Sequence, residues 1–99
     1  MSHLDYSIGQ ILKTLKQQHL DKNTIIIFMS DNGYFLGERQ LAGKWLMYDN
    51  SLRVPMIIYD PRSVQGRKVK DLVLNIDIAP TIFDLAGLDK PKSWQGLSL

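Results

Sequence analysis

The sequence has no cysteine, which excludes a disulfide framework, thiolate catalysis and cysteine-ligated metals, and leaves the redox compartment open. Histidine occurs only at His3 and His19. They flank one helical segment with no acidic cluster beside them, so they read as surface residues rather than metal ligands. No apolar run approaches the roughly 20 residues of a membrane-spanning helix. Met1-Ser2-His3-Leu4-Asp5 has neither the basic nor the apolar stretch of a signal peptide. No phosphate-cradling glycine-rich loop, no Ser-His-Asp arrangement and no acid pair spaced for glycoside hydrolysis is present. A basic stripe is missing too. The net charge is +2, and the only loose cluster, Arg62, Arg67, Lys68 and Lys70, reads as a solvated loop. A nucleic-acid partner is therefore not expected.

What is present suits a globular chain. Hydrophobic residues make up 44% and charged residues 22% of 99 residues, enough apolar mass for collapse but room for one modest domain. Ile8, Ile11, Leu12, Leu15 and Leu20 recur with helical period, which predicts an amphipathic helix over 4–19. Thr24-Ile25-Ile26-Ile27-Phe28-Met29 is a β-branched and aromatic run of the kind found in strands covered on both faces in a parallel sheet. Residues 30–52 carry Gly33, Gly37 and Gly43 with no sustained period, and a loop of that length is usually functional. Val54-Pro55-Met56-Ile57-Ile58-Tyr59 is a second strand, with Pro55 near its start or at an edge. Val69 to Leu74 is a candidate short extended piece. Residues 78–85 have helical spacing, with Pro80 in the first turn and Gly87 as a stop. The order predicts an α/β layered sheet, whose ligands bind beyond the carboxyl ends of the strands. That is where Ser30-Asp31-Asn32-Gly33 falls.

Asp31 and Asn32 offer two neighbouring oxygen donors, a hard pair suited to calcium or magnesium. Gly33 would let the backbone turn so that both converge. The same three residues also make an ordinary turn, and the residues alone favour the turn. Lys44, in Ala42-Gly43-Lys44-Trp45, can present a compact positive charge to an oxyanion; taken alone, a solvated lysine is the commoner case. Glu38, Arg39 and Asp49 read as charges bracing the loop, Arg53 as an anchor to an unnamed carboxylate, and Trp45 and Tyr48 as the residues that pack the loop down.

An ordered set of segments changes that balance. Thr24 through Gly33 resembles the strand and metal-binding turn of sulfatases in the alkaline phosphatase superfamily. Leu36-Gly37-Glu38 followed by Gly43-Lys44 resembles the family's lysine-bearing loop, and Ser51-Leu52-Arg53-Val54-Pro55-Met56-Ile57-Ile58 resembles the next strand. Asn75-Ile76-Asp77-Ile78-Ala79-Pro80-Thr81-Ile82-Phe83-Asp84-Leu85-Ala86-Gly87, Gly96-Leu97-Ser98-Leu99 and Asp5 through Leu15 resemble further family segments in order.

The resemblance implies an alkaline-phosphatase-like fold over 1–99, part of a catalytic domain. Asp31 and Asn32 would hold a divalent cation, most simply Ca²⁺, and Lys44 would contact the sulfate of a sulfate ester, sugar sulfates included. Calcium takes about 6–8 oxygen ligands, so further ligands are expected elsewhere. The family's nucleophile, a formylglycine made within Cys/Ser-x-Pro-x-Arg, has no counterpart here, and the chain alone is expected to be inactive. Arg39 stands where the most similar members have histidine. The resemblance also implies a periplasmic, extracellular or lysosomal setting, and an unsatisfied sheet edge that promotes self-association. A non-catalytic metal-binding or interaction module and a phosphoesterase of the same superfamily are the alternative readings.

Overall fold

A computed structural model describes residues 2–99. They form two compact units, one running to Gly66 and one from Arg67. The architecture is mixed α/β, as expected.

The first unit opens with helix α1, Ser2–Gln17, two residues earlier at each end than its apolar period suggests. It ends where His19 takes a left-handed backbone (φ 56°). The Leu20 N–H donates to the Leu15 carbonyl at 2.9 Å and the His19 N–H to the Lys16 carbonyl at 3.2 Å. This is a Schellman stop built on histidine instead of the usual glycine. The helix buries none of its residues.

Strands β1 (Ile26–Met29) and β4 (Met56–Tyr59) pair in the register Ile26↔Tyr59 to Met29↔Met56. They run antiparallel, contrary to the parallel sheet expected. A parallel pair needs a crossover that returns the chain to the same end, whereas residues 30–55 turn back and enter β4 from the opposite end. β1 is also half-buried rather than covered on both faces, with Phe28 exposed. A continuous apolar run thus records the need for cover, and does not reveal its direction.

The stretch 30–52, expected as plain loop, contains a miniature hairpin of β2 (Phe35–Leu36) and β3 (Ala42–Gly43), paired Phe35↔Gly43 and Leu36↔Ala42, and one turn of helix, α2 (Asp49–Leu52). Gly37, Arg39 and Gln40 all have positive φ at the hairpin's tip. Phe35, 1% exposed, is the unit's buried apolar residue. Tyr48 packs edge-on against it (centroids 5.8 Å, 86°), and the Arg39 guanidinium lies 5.1 Å from the Tyr48 ring centre. Tyr48 therefore packs the loop as expected, but Trp45 does not: it is 87% exposed, lying over Gly43.

In the second unit, Val69–Leu74 forms no strand. A 3₁₀ turn, Asn75–Asp77, leads directly into helix α3, Ile78–Leu85, the span read from the sequence. Gly87 (φ 69°) closes it, with Leu88 N–H on the Phe83 carbonyl and Gly87 N–H on that of Asp84. The buried Asp77 carboxylate accepts from the backbone N–H groups of Leu74 (2.8 Å) and Leu97 (2.9 Å). One side chain thus caps the turn and pins the tail. Thr81, 1% exposed, donates to the Asp77 carbonyl and accepts from the Leu99 N–H. Trp94 rests edge-on against Phe83 at 4.9 Å. Gly96 comes so close to the Ile76 carbonyl that a side chain there would overlap it.

Candidate functional site

The site begins at the carboxyl end of β1. Ser30 leaves the strand and donates its hydroxyl to the Asn32 carbonyl at 2.8 Å. The Asn32 N–H donates to Asp31 Oδ1 at 2.9 Å, a contact between adjacent residues. The Asn32 amide is then fixed from its nitrogen side, since Nδ2 donates to the Gly33 carbonyl at 2.7 Å. That leaves Oδ1 pointing away from the turn, and the Lys44 ammonium donates to it at 3.2 Å. Asn32 and Lys44, twelve residues apart, thus meet as two of the sequence-selected residues. Asp31 is exposed beside them and Asn32 is half-buried.

Gly33 has a different role from the one its sequence position suggests. It is not among the residues with positive φ, so no special turn depends on it. Its N–H donates to the Ser51 carbonyl at 2.8 Å, and a Cβ on Gly33 would overlap the Asn50 carbonyl. Glycine is required here for close approach of two backbones. The contact closes the excursion 34–50 at its neck and sets Asn32 at the base, with Lys44 carried on the arm that follows β3.

The bracing charges fall mostly where expected. Glu38 accepts the Leu36 N–H at 2.6 Å. Its own backbone N–H and that of Leu36 hold its carboxyl below the ordinary carboxylate range. Arg53 finds the partner that sequence left unnamed, Asp49 at 3.7 Å one helical turn away, although both side chains are about four-fifths exposed and such a pair contributes little. Arg62 forks onto Asp60. This holds the Asp60 carboxyl low and the guanidinium high, and removes one charge from the loose basic cluster. Ser51 is a residue that sequence reading misses. It is 6% exposed, and its hydroxyl has no hydrogen-bond partner among the described residues; only its neighbourhood in space marks it.

The donors fit a hard cation in kind. Asp31 supplies a carboxylate, and Asn32 an amide oxygen that already faces a positive group. They do not fill a coordination shell: among the described residues no cluster of three or more His, Cys, Asp or Glu gathers, and calcium needs about 6–8 oxygens. No described helix is long and apolar enough to cross a membrane.

The family model named Sulfatase matches residues 1–88. The chain belongs to the sulfatase family. An N-acetylglucosamine-6-O-sulfatase of Bacteroides thetaiotaomicron is 38% identical over 97% of the chain and 17% of its own length. An arylsulfatase of Clostridium perfringens is 41% identical over 100% of the chain and 21% of its own length. The chain thus spans about a fifth of the curated sulfatases it matches. Among solved structures, one described as in complex with its substrate D-glucosamine-2-N,6-O-disulfate superposes with a TM-score of 0.91 at 40% identity, covering 96% of this chain and 19% of the other. A phosphonate monoester hydrolase from Silicibacter pomeroyi reaches the same TM-score at 35% identity, with the same coverage of each chain.

Proposed function

We propose that this chain supplies the cation-binding and sulfate-contacting part of a sulfatase site, acting on sulfate esters with sugar sulfates as the first class to test. Asp31 and Asn32 are the chain's ligands to a divalent cation, most simply Ca²⁺. Lys44 is its contact to the sulfuryl oxygens. When bound, the cation supplies Lewis-acid stabilisation of charge on the transferring group. The Lys44 ammonium adds a compact charge where negative charge collects on the sulfonate oxygens. The nucleophile, a formylglycine by family resemblance, is not encoded among these residues.

The observation that carries this reading is the 3.2 Å contact between Lys44 Nζ and Asn32 Oδ1, in a chain whose family model runs through both residues. The contact brings within hydrogen-bond reach the two residues that the family segments single out. The test is hydrolysis of 4-nitrophenyl sulfate and glucosamine 6-sulfate by a polypeptide that joins this chain to a Cys/Ser-x-Pro-x-Arg segment of the family. Lys44→Ala should lower kcat/KM by about 10²–10³, the range for losing one preorganised donor, and Asp31→Asn should make activity dependent on added Ca²⁺. Sulfate-ester turnover indifferent to both substitutions would refute the assignment.

A second reading, a phosphonate monoester hydrolase, is favoured by the TM-score of 0.91 to such an enzyme. Faster cleavage of a phenyl phosphonate monoester than of the matching sulfate would establish it in place of the first.

A further inference from the structure

The fold holds the Trp45 indole in place yet leaves it in water. The chain bends at Lys44 and folds the next side chain back onto Gly43. There the missing side chain makes room for the indole, because a Cβ on Gly43 would meet its Cδ1 and Nε1 at 3.2 Å. Gly43 also has φ 93°, in the region that favours glycine. Two separate properties of that residue thus serve one ring. The ring adds little packing in return: Trp45 is 87% exposed, so a ring face stays open, and Phe35 with Tyr48 packs the excursion instead. The residue between Gly43 and Trp45 is Lys44, whose α-carbon lies about 3.8 Å from each neighbour's.

We infer that Trp45 is a substrate contact: its indole face takes the ring of a cyclic sulfate ester while Lys44 takes the sulfate oxygens. The inference rests on the reading of Lys44 as the sulfate contact and extends it to the alcohol part of the ester. Each half of such a molecule meets its complement. The sulfate is anionic and faces a compact ammonium. A pyranose presents C–H groups made slightly positive by their oxygens, and these suit the negative face of an aromatic ring. An aryl ester stacks offset on the same face. A lysine alone selects charge and treats a sugar sulfate and an acyclic sulfate alike. An aromatic surface beside a fixed polar contact adds selection by shape, the usual division of labour in small-molecule sites. A single exposed aromatic is ordinary in itself; the seat on Gly43 and the place beside Lys44 single this one out.

Proton–nitrogen NMR of the 99-residue chain tests this, because its two tryptophans give separate indole N–H signals. Trp94, resting on Phe83 in the other unit, is the internal reference. Glucosamine 6-sulfate should move the Trp45 signal saturably and leave that of Trp94 in place. 4-Nitrophenyl sulfate is the aryl arm and methyl sulfate the ring-free one. Trp45→Ala should weaken binding of the ring-bearing esters, read at the Lys44 amide, by about 3–10-fold, and Trp45→Phe should recover most of it. Methyl sulfate should bind all three chains equally. A response to only one of the two ring-bearing esters identifies the ring, sugar or aryl, and supports stacking. An equal loss for methyl sulfate in Trp45→Ala would make the indole a support for Lys44 and overturn the inference. So would unchanged affinity of Trp45→Ala for both ring-bearing esters, or no saturable Trp45 shift with either. A Trp45 signal that follows chain concentration instead of ligand would mark a contact between copies and overturn it too. None of these results touches Lys44. If Lys44→Gln leaves the binding of all three esters unaltered, the sulfate-contact reading itself fails and takes the inference with it.

Discussion

Replacing Gly33 with alanine puts the geometry of the neck to a quantitative test. The new methyl group would fall on the Asn50 carbonyl, which is backbone and cannot swing aside as a side-chain tip could. The two segments must part by about 1.5–2 Å to restore ordinary contact at about 3.5–4 Å. That separation breaks the 2.8 Å bond from the Gly33 N–H to the Ser51 carbonyl, a loss of about 1 kcal/mol. Overpacking adds about 1–3 kcal/mol. The sum is about 2–4 kcal/mol, and none of it comes from backbone angles, because Gly33 does not use the left-handed region. Amide hydrogen exchange is the suitable assay, since it reports the neck locally. Protection at Gly33 should fall by at least about thirtyfold, with little change in α3. If Gly33→Ala kept the exchange protection, the close-approach argument would be wrong.

Other outcomes follow from separate features. His19→Gly should stabilise α1 by about 0.5–1 kcal/mol, because it relieves a side chain at φ 56° that glycine tolerates freely; a lower urea midpoint would contradict this. Ser51→Ala should be neutral or slightly stabilising, since it removes a buried hydroxyl without a partner among the described residues, and a marked drop in melting temperature would reveal a bond not accounted for. The N–H of Leu97, then that of Leu74, holds the Asp77 carboxyl below its ordinary range. Its contribution is therefore complete above the unfolded carboxylate pKa of about 3.9 and fades as pH falls through the lower folded value. The protection of the Leu97 amide, relative to its intrinsic exchange rate, should fall on acidification below about pH 4, and Asp77→Asn should flatten that limb. Finally, β1 and β4 form a two-stranded sheet with unpaired outer edges among the described residues, so light scattering should detect concentration-dependent self-association; a monomer at all concentrations would count against it.

Much of this is legible in the order of residues, for identifiable reasons. Helix α3 matches its expected span because Pro80 and Gly87 act through covalent geometry, which needs no tertiary context. The strand cores of β1 and β4 are visible in their β-branched runs. Strand direction is not, because apolar continuity is the same whichever way the partner runs. The β2–β3 hairpin escapes a sequence reading since two-residue strands have no period to detect. At the site, Asp31, Asn32 and Lys44 look like a turn and a surface lysine until the segment order is considered. The meeting of Asn32 with Lys44 depends on a fold-back of residues 34–50 that no local pattern encodes. Trp45 misleads through the habit of assigning large aromatics to packing; Phe35 and Tyr48 fill that role.

The neck at Gly33 and Ser51 also separates what can vary from what cannot. Because the excursion enters and leaves through one pinched point, changes in the length or sequence of its outer arm leave Asp31 and Asn32 where they are. They alter only how far, and at what angle, an ammonium on that arm can reach. The reach of the Lys44 arm and the geometry of the Asp31–Asn32 turn are then adjustable through different residues, and the first can drift while the second is preserved.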